Sequence, residues 1–285
     1  MRFIYTILML TALLFAGCNG EGGKHSKADV VVSIEPIKYL VERVVGDDLS
    51  LRVLVPAGTG PETYEPTPRD IVSVIDAKMV FSTGLIEFEN ILLNKVGAGA
   101  NIVNLSSGVE LIEGTCSHLH SDCGHSHGVD PHIWTSPREL RLMAHNLHLA
   151  IKQCYPDSVK YDQAYQRLDS ELASLEEECR AIYASSPQRS FVIYHPALTY
   201  YARCYGLEQM AIESNGKEPS AKHIAQVIDF ARENNVRTLL YQCEYPRSVV
   251  EVIADDMGVE AVEINPLSDD PVEFIRSVTR TITQQ

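Results

Sequence analysis

Tryptophan occurs once in the 285 residues, and basic side chains are scarce: 24 Lys and Arg stand against 38 Asp and Glu, a formal charge of −14. That balance excludes a nucleic-acid binder, which needs a basic face to displace counterions, and it suits cations. Long apolar runs are lacking too, apart from Phe3 to Phe15, which is too short to cross a bilayer comfortably. Charged residues make up 22% with only moderate net charge per residue, which argues against a disordered chain, and 45% apolar residues are enough for a packed core in one large domain or two ordinary ones. Against these shortages stand ten His and seven Cys.

Arg2, the apolar run and the small pair Ala16-Gly17 form a secretory signal over 1–17. Phe15-Ala16-Gly17-Cys18 resembles a bacterial lipobox, so Cys18 is the expected lipidated N-terminus and 18–28 a polar tether. The expected location is the cell envelope or periplasm, anchored to the membrane by lipid. Six further cysteines then face an oxidising setting. Cys116 with Cys123 and Cys204 with Cys243 are candidate disulfides among 15 pairings, and Cys154 and Cys179 complete the set.

Strand and helix patterns alternate twice along the chain. In the first half, strands are expected at Val30–Ser33, Leu51–Val55, Met79–Ser82 and Ile102–Asn104, with helices between them. Thr67 and Pro68 open one helix, and Ser136-Pro137-Arg138-Glu139 reads as a capping box for another. From Asp157 to about Ala184, apolar residues at Tyr161, Tyr165, Leu168, Leu172, Leu175, Cys179 and Ile182 predict a helix of about 42 Å with a narrow apolar seam. The second half repeats the strands at Phe191–Tyr194, Gln209–Ile212, Thr238–Tyr241 and Val259–Ile264. The expected fold is α/β: an N-terminal lobe over 29–156, a connecting helix over 157–185, a C-terminal lobe over 186–285, mainly parallel sheets, and a cleft between the lobes. Residues 114–129 interrupt the pattern as a His-rich loop.

Ligands of open parallel sheets lie beyond the carboxyl ends of strands. Those positions here hold Glu62 in PETYEP, His132 in DPHIW, His195 in YHP and Asp269 in NPLSDD. Two imidazoles and several carboxyl groups therefore converge on one cleft, a donor set suited to a borderline divalent cation. Glu65, Asp130 and Tyr64 are expected to orient ligands, and His145, His148 and His223 to be structural, the first two on a surface helix. Two His-x-His pairs, His118 with His120 and His125 with His127, form a separate auxiliary metal loop.

PETYEPTP, DPHIW, the placement of His195 and the loop before DPHIW resemble the metal-binding lipoproteins of bacterial ABC importers for zinc and manganese. The resemblance runs from lipobox to final helix. It implies capture of extracytoplasmic Zn²⁺ by a monomer that delivers it to an ABC transporter permease, with no enzymatic step. In that family a His usually follows the proline where this chain has Glu62, and the fourth ligand, when present, is often an Asp for which Asn265 is the nearest match. Mn²⁺ or iron is the alternative cargo. A zinc-dependent hydrolase is the runner-up class, against which stands the lack of an HExxH helix, and an adhesin or metallochaperone is the third.

Overall fold

The computed structural model describes residues 27–113, 128–213 and 219–284. The expected lipidation site Cys18 lies outside these residues. So do the auxiliary metal loop residues His118, His120, His125 and His127, and the candidate disulfide of Cys116 with Cys123.

The first lobe is a four-stranded parallel sheet of β1 (Val30–Val32), β2 (Leu51–Val53), β3 (Met79–Ser82) and β4 (Ile102–Asn104), in spatial order β2-β1-β3-β4. The second lobe repeats that order with β5 (Ser190–Ile193), β6 (Glu208–Ala211), β7 (Thr238–Gln242) and β8 (Glu260–Ile264), in order β6-β5-β7-β8. Parallel neighbours need crossovers, and helices supply them. In the first lobe these are α1 (Glu35–Val45), α2 (Pro68–Asp76) and α3 (Glu87–Val96). The chain then passes through α4 (Pro137–Cys154) and α5 (Val159–Ser185). The second lobe adds α6 (Thr199–Tyr205), α7 (Ala221–Glu233), α8 (Arg247–Met257) and α9 (Pro271–Thr283).

Local sequence explains the helix starts. α1 has Pro36 at its second position, where the missing N–H costs nothing, and buries Ile37, Leu40, Val41 and Val44 at helical spacing. α2 opens with a complete capping box: Thr67 accepts from the Asp70 backbone N–H while the Asp70 carboxylate accepts from Thr67. The expected box at Ser136 does not form. Ser136 is buried without a cap bond, and the carboxylate of Glu139 instead accepts from Arg203 at 2.8 Å.

α5 is 27 residues long, about 40 Å. Its buried seam is Tyr161, Ala164, Leu168, Leu172, Leu175, Cys179 and Tyr183. Rather than standing free between lobes, it lies along α4 and also touches α1 and α9. Arg43 of the first lobe pairs with Glu171, and Arg276 of the second donates to Glu178 at 3.1 Å. One buried apolar cluster runs from Val30–Val32 through Trp134 and α5 to Phe191 and Val278, so the lobes share a core. A second cluster, including Val192, Leu239 and Val250, belongs to the C-terminal lobe.

The structure corrects two readings besides the Ser136 box. Cys204 and Cys243 are both free. Cys204 lies near the end of α6 beside Glu176, whereas Cys243 follows the carboxyl end of β7, so the two thiols sit in different surroundings and do not pair. His148 is buried rather than at the surface. It stacks on Tyr165 with ring centroids 4.2 Å apart and bonds Asp162 at 2.6 Å, which makes it a packing residue between α4 and α5. Among the described residues no helix is long and apolar enough to cross a membrane.

Candidate metal centre

The carboxyl ends of the two sheets face one cavity of about 250 Å³, lined by both lobes. Each lobe supplies donors by the same logic: a strand ends, and a polar side chain past it points into the cleft.

Glu62 comes from the loop after β2. Pro61 precedes it, and Tyr64, two residues on, donates its hydroxyl to Asp70 at 2.8 Å and packs edge-on against Phe88. Since Asp70 also closes the α2 capping box and accepts from Arg52 at 2.8 Å, the loop carrying Glu62 is fastened to a helix start. His132 precedes the single turn Ile133–Thr135, and its side chain is only 7% exposed. Asp130 accepts from both its backbone N–H and its Nδ1, each at 2.9 Å. His195 lies just beyond β5. Gln242, the last residue of β7, donates to its carbonyl at 2.9 Å, and Glu213 accepts from its Nδ1 at 3.0 Å.

The free faces of these residues meet. Glu62 Oε1 lies 3.3 Å from His132 Nε2 and 3.1 Å from His195 Nε2, and one donor atom from each residue falls within 4.8 Å of the others. With both Nδ1 atoms bonded to carboxylates, each neutral ring is fixed as the tautomer whose Nε2 lone pair faces the cavity. This is the carboxylate–histidine arrangement that metal sites use. Among the described residues this is the one group of three or more His, Cys, Asp and Glu side chains arranged to hold a metal ion.

Electrostatics follow from the geometry. Burial opposes the protonation of His195, but the carboxylates of Glu213 and Glu62 outweigh it and push the imidazole up to about 10 in the metal-free site. Burial likewise opposes the charge on His132, which Asp130 nevertheless raises above its ordinary value. Burial would raise Glu62, yet the hydrogen bonds and charges of the two imidazoles hold its carboxyl well below the usual range. The site thus stores protons where a cation would sit, and a divalent ion bound there would have to displace them.

Of the four predicted cleft ligands, Glu62, His132 and His195 come together. Asp269 does not join them: it is exposed. The side chain of Asn265 is engaged locally, accepting from the Leu267 N–H at 3.0 Å. The auxiliary set of His118, His120, His125 and His127 falls outside the described residues. Asp130 and Tyr64 hold the orienting positions expected of them, while Glu65 is simply exposed. His223 donates to the carbonyl of Ala211 at 2.9 Å and is structural. Sequence reading passed over Glu213. The β5–β6 register pairs Ile193 with Ala211, and the Glu213 N–H bonds the Tyr194 carbonyl at 2.8 Å, so the ladder itself sets Glu213 beside His195. Reading that register two residues past the strands would have found it.

Comparison with known proteins places the chain in a family. Residues 30–285 match the family described as the periplasmic zinc-uptake complex component A. The high-affinity zinc uptake system protein ZnuA of Bacillus subtilis (strain 168) is 30% identical over 271 residues, covering 90% of this chain and 85% of its own. The zinc-binding lipoprotein AdcA of Streptococcus pneumoniae (strain ATCC BAA-255 / R6) is 28% identical over 276 residues. There the match takes 90% of this chain but 54% of AdcA, so the chain spans about half the length of that relative. A crystal structure of ZnuA superposes with a TM-score of 0.81 at 31% identity, covering 90% of this chain and 98% of the other. The chain therefore belongs to the family of periplasmic zinc-uptake complex A components.

Proposed function

We propose that this protein captures Zn²⁺ outside the cytoplasm and presents it to the permease of an ABC importer. One observation carries the reading: Glu62 Oε1, His132 Nε2 and His195 Nε2, drawn from both lobes, converge within 4.8 Å, and the far nitrogen of each imidazole is held by a carboxylate. Two imidazoles and one carboxylate favour zinc over manganese, which prefers carboxylate-rich sites of higher coordination. The cargo is bound and released unchanged, so the reading needs no enzymatic step. Lipidation at Cys18 would hold the protein at the membrane where the permease lies. His118, His120, His125 and His127 would gather metal as weaker sites beside the cleft.

Competitive zinc titration of the purified protein tests the reading, set beside His132→Ala and His195→Ala and a chain lacking residues 116–127. The expected result is one tight site that is lost in each His variant and kept in the deletion, which removes only weak sites. A tight site unaffected by either His substitution would contradict it.

A further inference from the structure

The two imidazoles are supported differently. Asp130 is two residues from His132 in the same turn, so that support is local. The partner of His195 is 18 residues away, at the end of a neighbouring strand. Glu213 is itself 7% exposed, and the same Oε2 that accepts from His195 also accepts the hydroxyl of Tyr245. Tyr245 belongs to a third segment, between β7 and α8, and its ring packs on Tyr194 with centroids 4.3 Å apart. It also lines the cavity.

We propose that Glu213 and Tyr245 form a positioning pair that fixes the ring orientation of His195, so that the segment around Tyr245 governs how firmly the C-terminal lobe holds the metal. A carboxylate with one oxygen fixed from two sides can neither rotate nor shift without turning the imidazole. The ring hinges on a backbone already held by Gln242. Its Nε2 direction is therefore set at the Nδ1 end. Glu213 also brings a negative charge that strengthens the imidazole as a donor, as outer carboxylates do in metal sites. Displacement of the Tyr245 segment would free Glu213 and loosen a single ligand, while Glu62 and His132 stay in place.

The inference rests on the proposed zinc site, and the test separates the two. Zinc affinity, the zinc dissociation rate into a chelator and the visible spectrum of bound Co²⁺ are measured for the full protein and for Glu213→Ala, Glu213→Gln, Tyr245→Phe and His132→Ala. Glu213→Ala is expected to weaken zinc by about 10- to 100-fold and to alter the cobalt spectrum, because one imidazole leaves its direction. Glu213→Gln, whose carbonyl oxygen still accepts from Nδ1, should recover much of both. Tyr245→Phe should act chiefly by faster dissociation. Wild-type affinity and spectrum in Glu213→Ala would overturn the positioning role. So would an Ala variant that binds weakly with an unchanged cobalt spectrum, since a general loss of stability would then explain it. Failure of the proposed site itself shows elsewhere, as tight binding that persists in His132→Ala.

Discussion

At the residue scale, the carboxylate of Glu62 stands between the two imidazoles of the cleft. One of its oxygens already reaches both Nε2 atoms, at 3.1 and 3.3 Å. A hard oxygen donor at that point tempers the preference for zinc that two imidazoles impose. Glu62→His should therefore raise the ratio of zinc to manganese affinity in paired competition titrations, and an unchanged ratio would show that Glu62 does not touch the ion. Protons give a second test. His195 holds its proton up to about 10 without metal, and His132 is also raised. A raised imidazole stabilises the metal-free fold below its ordinary value of 6.5, and that contribution fades as pH climbs through about 10. Zinc needs the neutral ring, so binding near neutral pH should expel about one to two protons and weaken as pH falls. Calorimetry in buffers of different ionisation enthalpy should show that slope, whereas equal enthalpies would deny it. Three of the four cleft ligands named from the sequence meet in the cavity because a strand end plus a neighbouring proline is a local signal. Glu213 has no such local signature, since its role arises from the register of β5 against β6. Asp269 looked eligible through its position after β8, but it is exposed and outside the group formed by Glu62, His132 and His195.

At the element scale, Asp70 joins a helix start to the loop that carries Glu62. Its carboxylate accepts from the Thr67 backbone, Tyr64 and Arg52, each at 2.8 Å, while the side chain stays buried. Burial alone would raise its pKa, but the bonds from Thr67 and Tyr64 and from Arg52 lower it. The stability it supplies is complete above the ordinary 3.8 and is lost as pH falls through the lowered value. Asp70→Ala should cost about 3 kcal/mol in chemical unfolding and weaken zinc binding through the freed Tyr64 loop. A stability loss with unaltered zinc affinity would show that the loop holds its shape unaided. The cap itself could be read from Thr67-Pro68-Arg69-Asp70, whereas the similar Ser136 sequence misled because Arg203, distant in the chain, claims Glu139. Periodicity located α5 and most of its seam. It placed Ile182 inside where Tyr183 is buried, because the last turn packs against Tyr201 and Tyr205 of α6.

At the scale of the whole molecule, the lobes are pinned as well as joined. The Trp134 indole donates to the carbonyl of Pro266 at 2.9 Å, and the Tyr200 hydroxyl donates to the carbonyl of Asp130 at 2.9 Å. α5 pairs with both lobes, and one core passes through them. A wide hinge motion would break all of these at once, so the proposed capture and release of zinc is expected to involve movement of loops rather than of lobes. Small-angle scattering should give the same radius of gyration with and without zinc, and marked compaction on binding would refute a rigid frame. The alternation of strands and helices made the two-lobed parallel architecture legible in advance. The interlobe pins were not, because a lone Trp and a Tyr carry no pattern that names their distant partners.

The central claim is that zinc sits between Glu62, His132 and His195, and X-ray absorption at the zinc edge of the loaded protein, lacking residues 116–127, tests it most directly. The account predicts a nitrogen- and oxygen-bound ion with about two imidazoles and no sulfur, a signature that His195→Ala, which loses the tight site, does not retain. Sulfur bound to the ion, or a spectrum unmoved by that substitution, would place the ion elsewhere and contradict it.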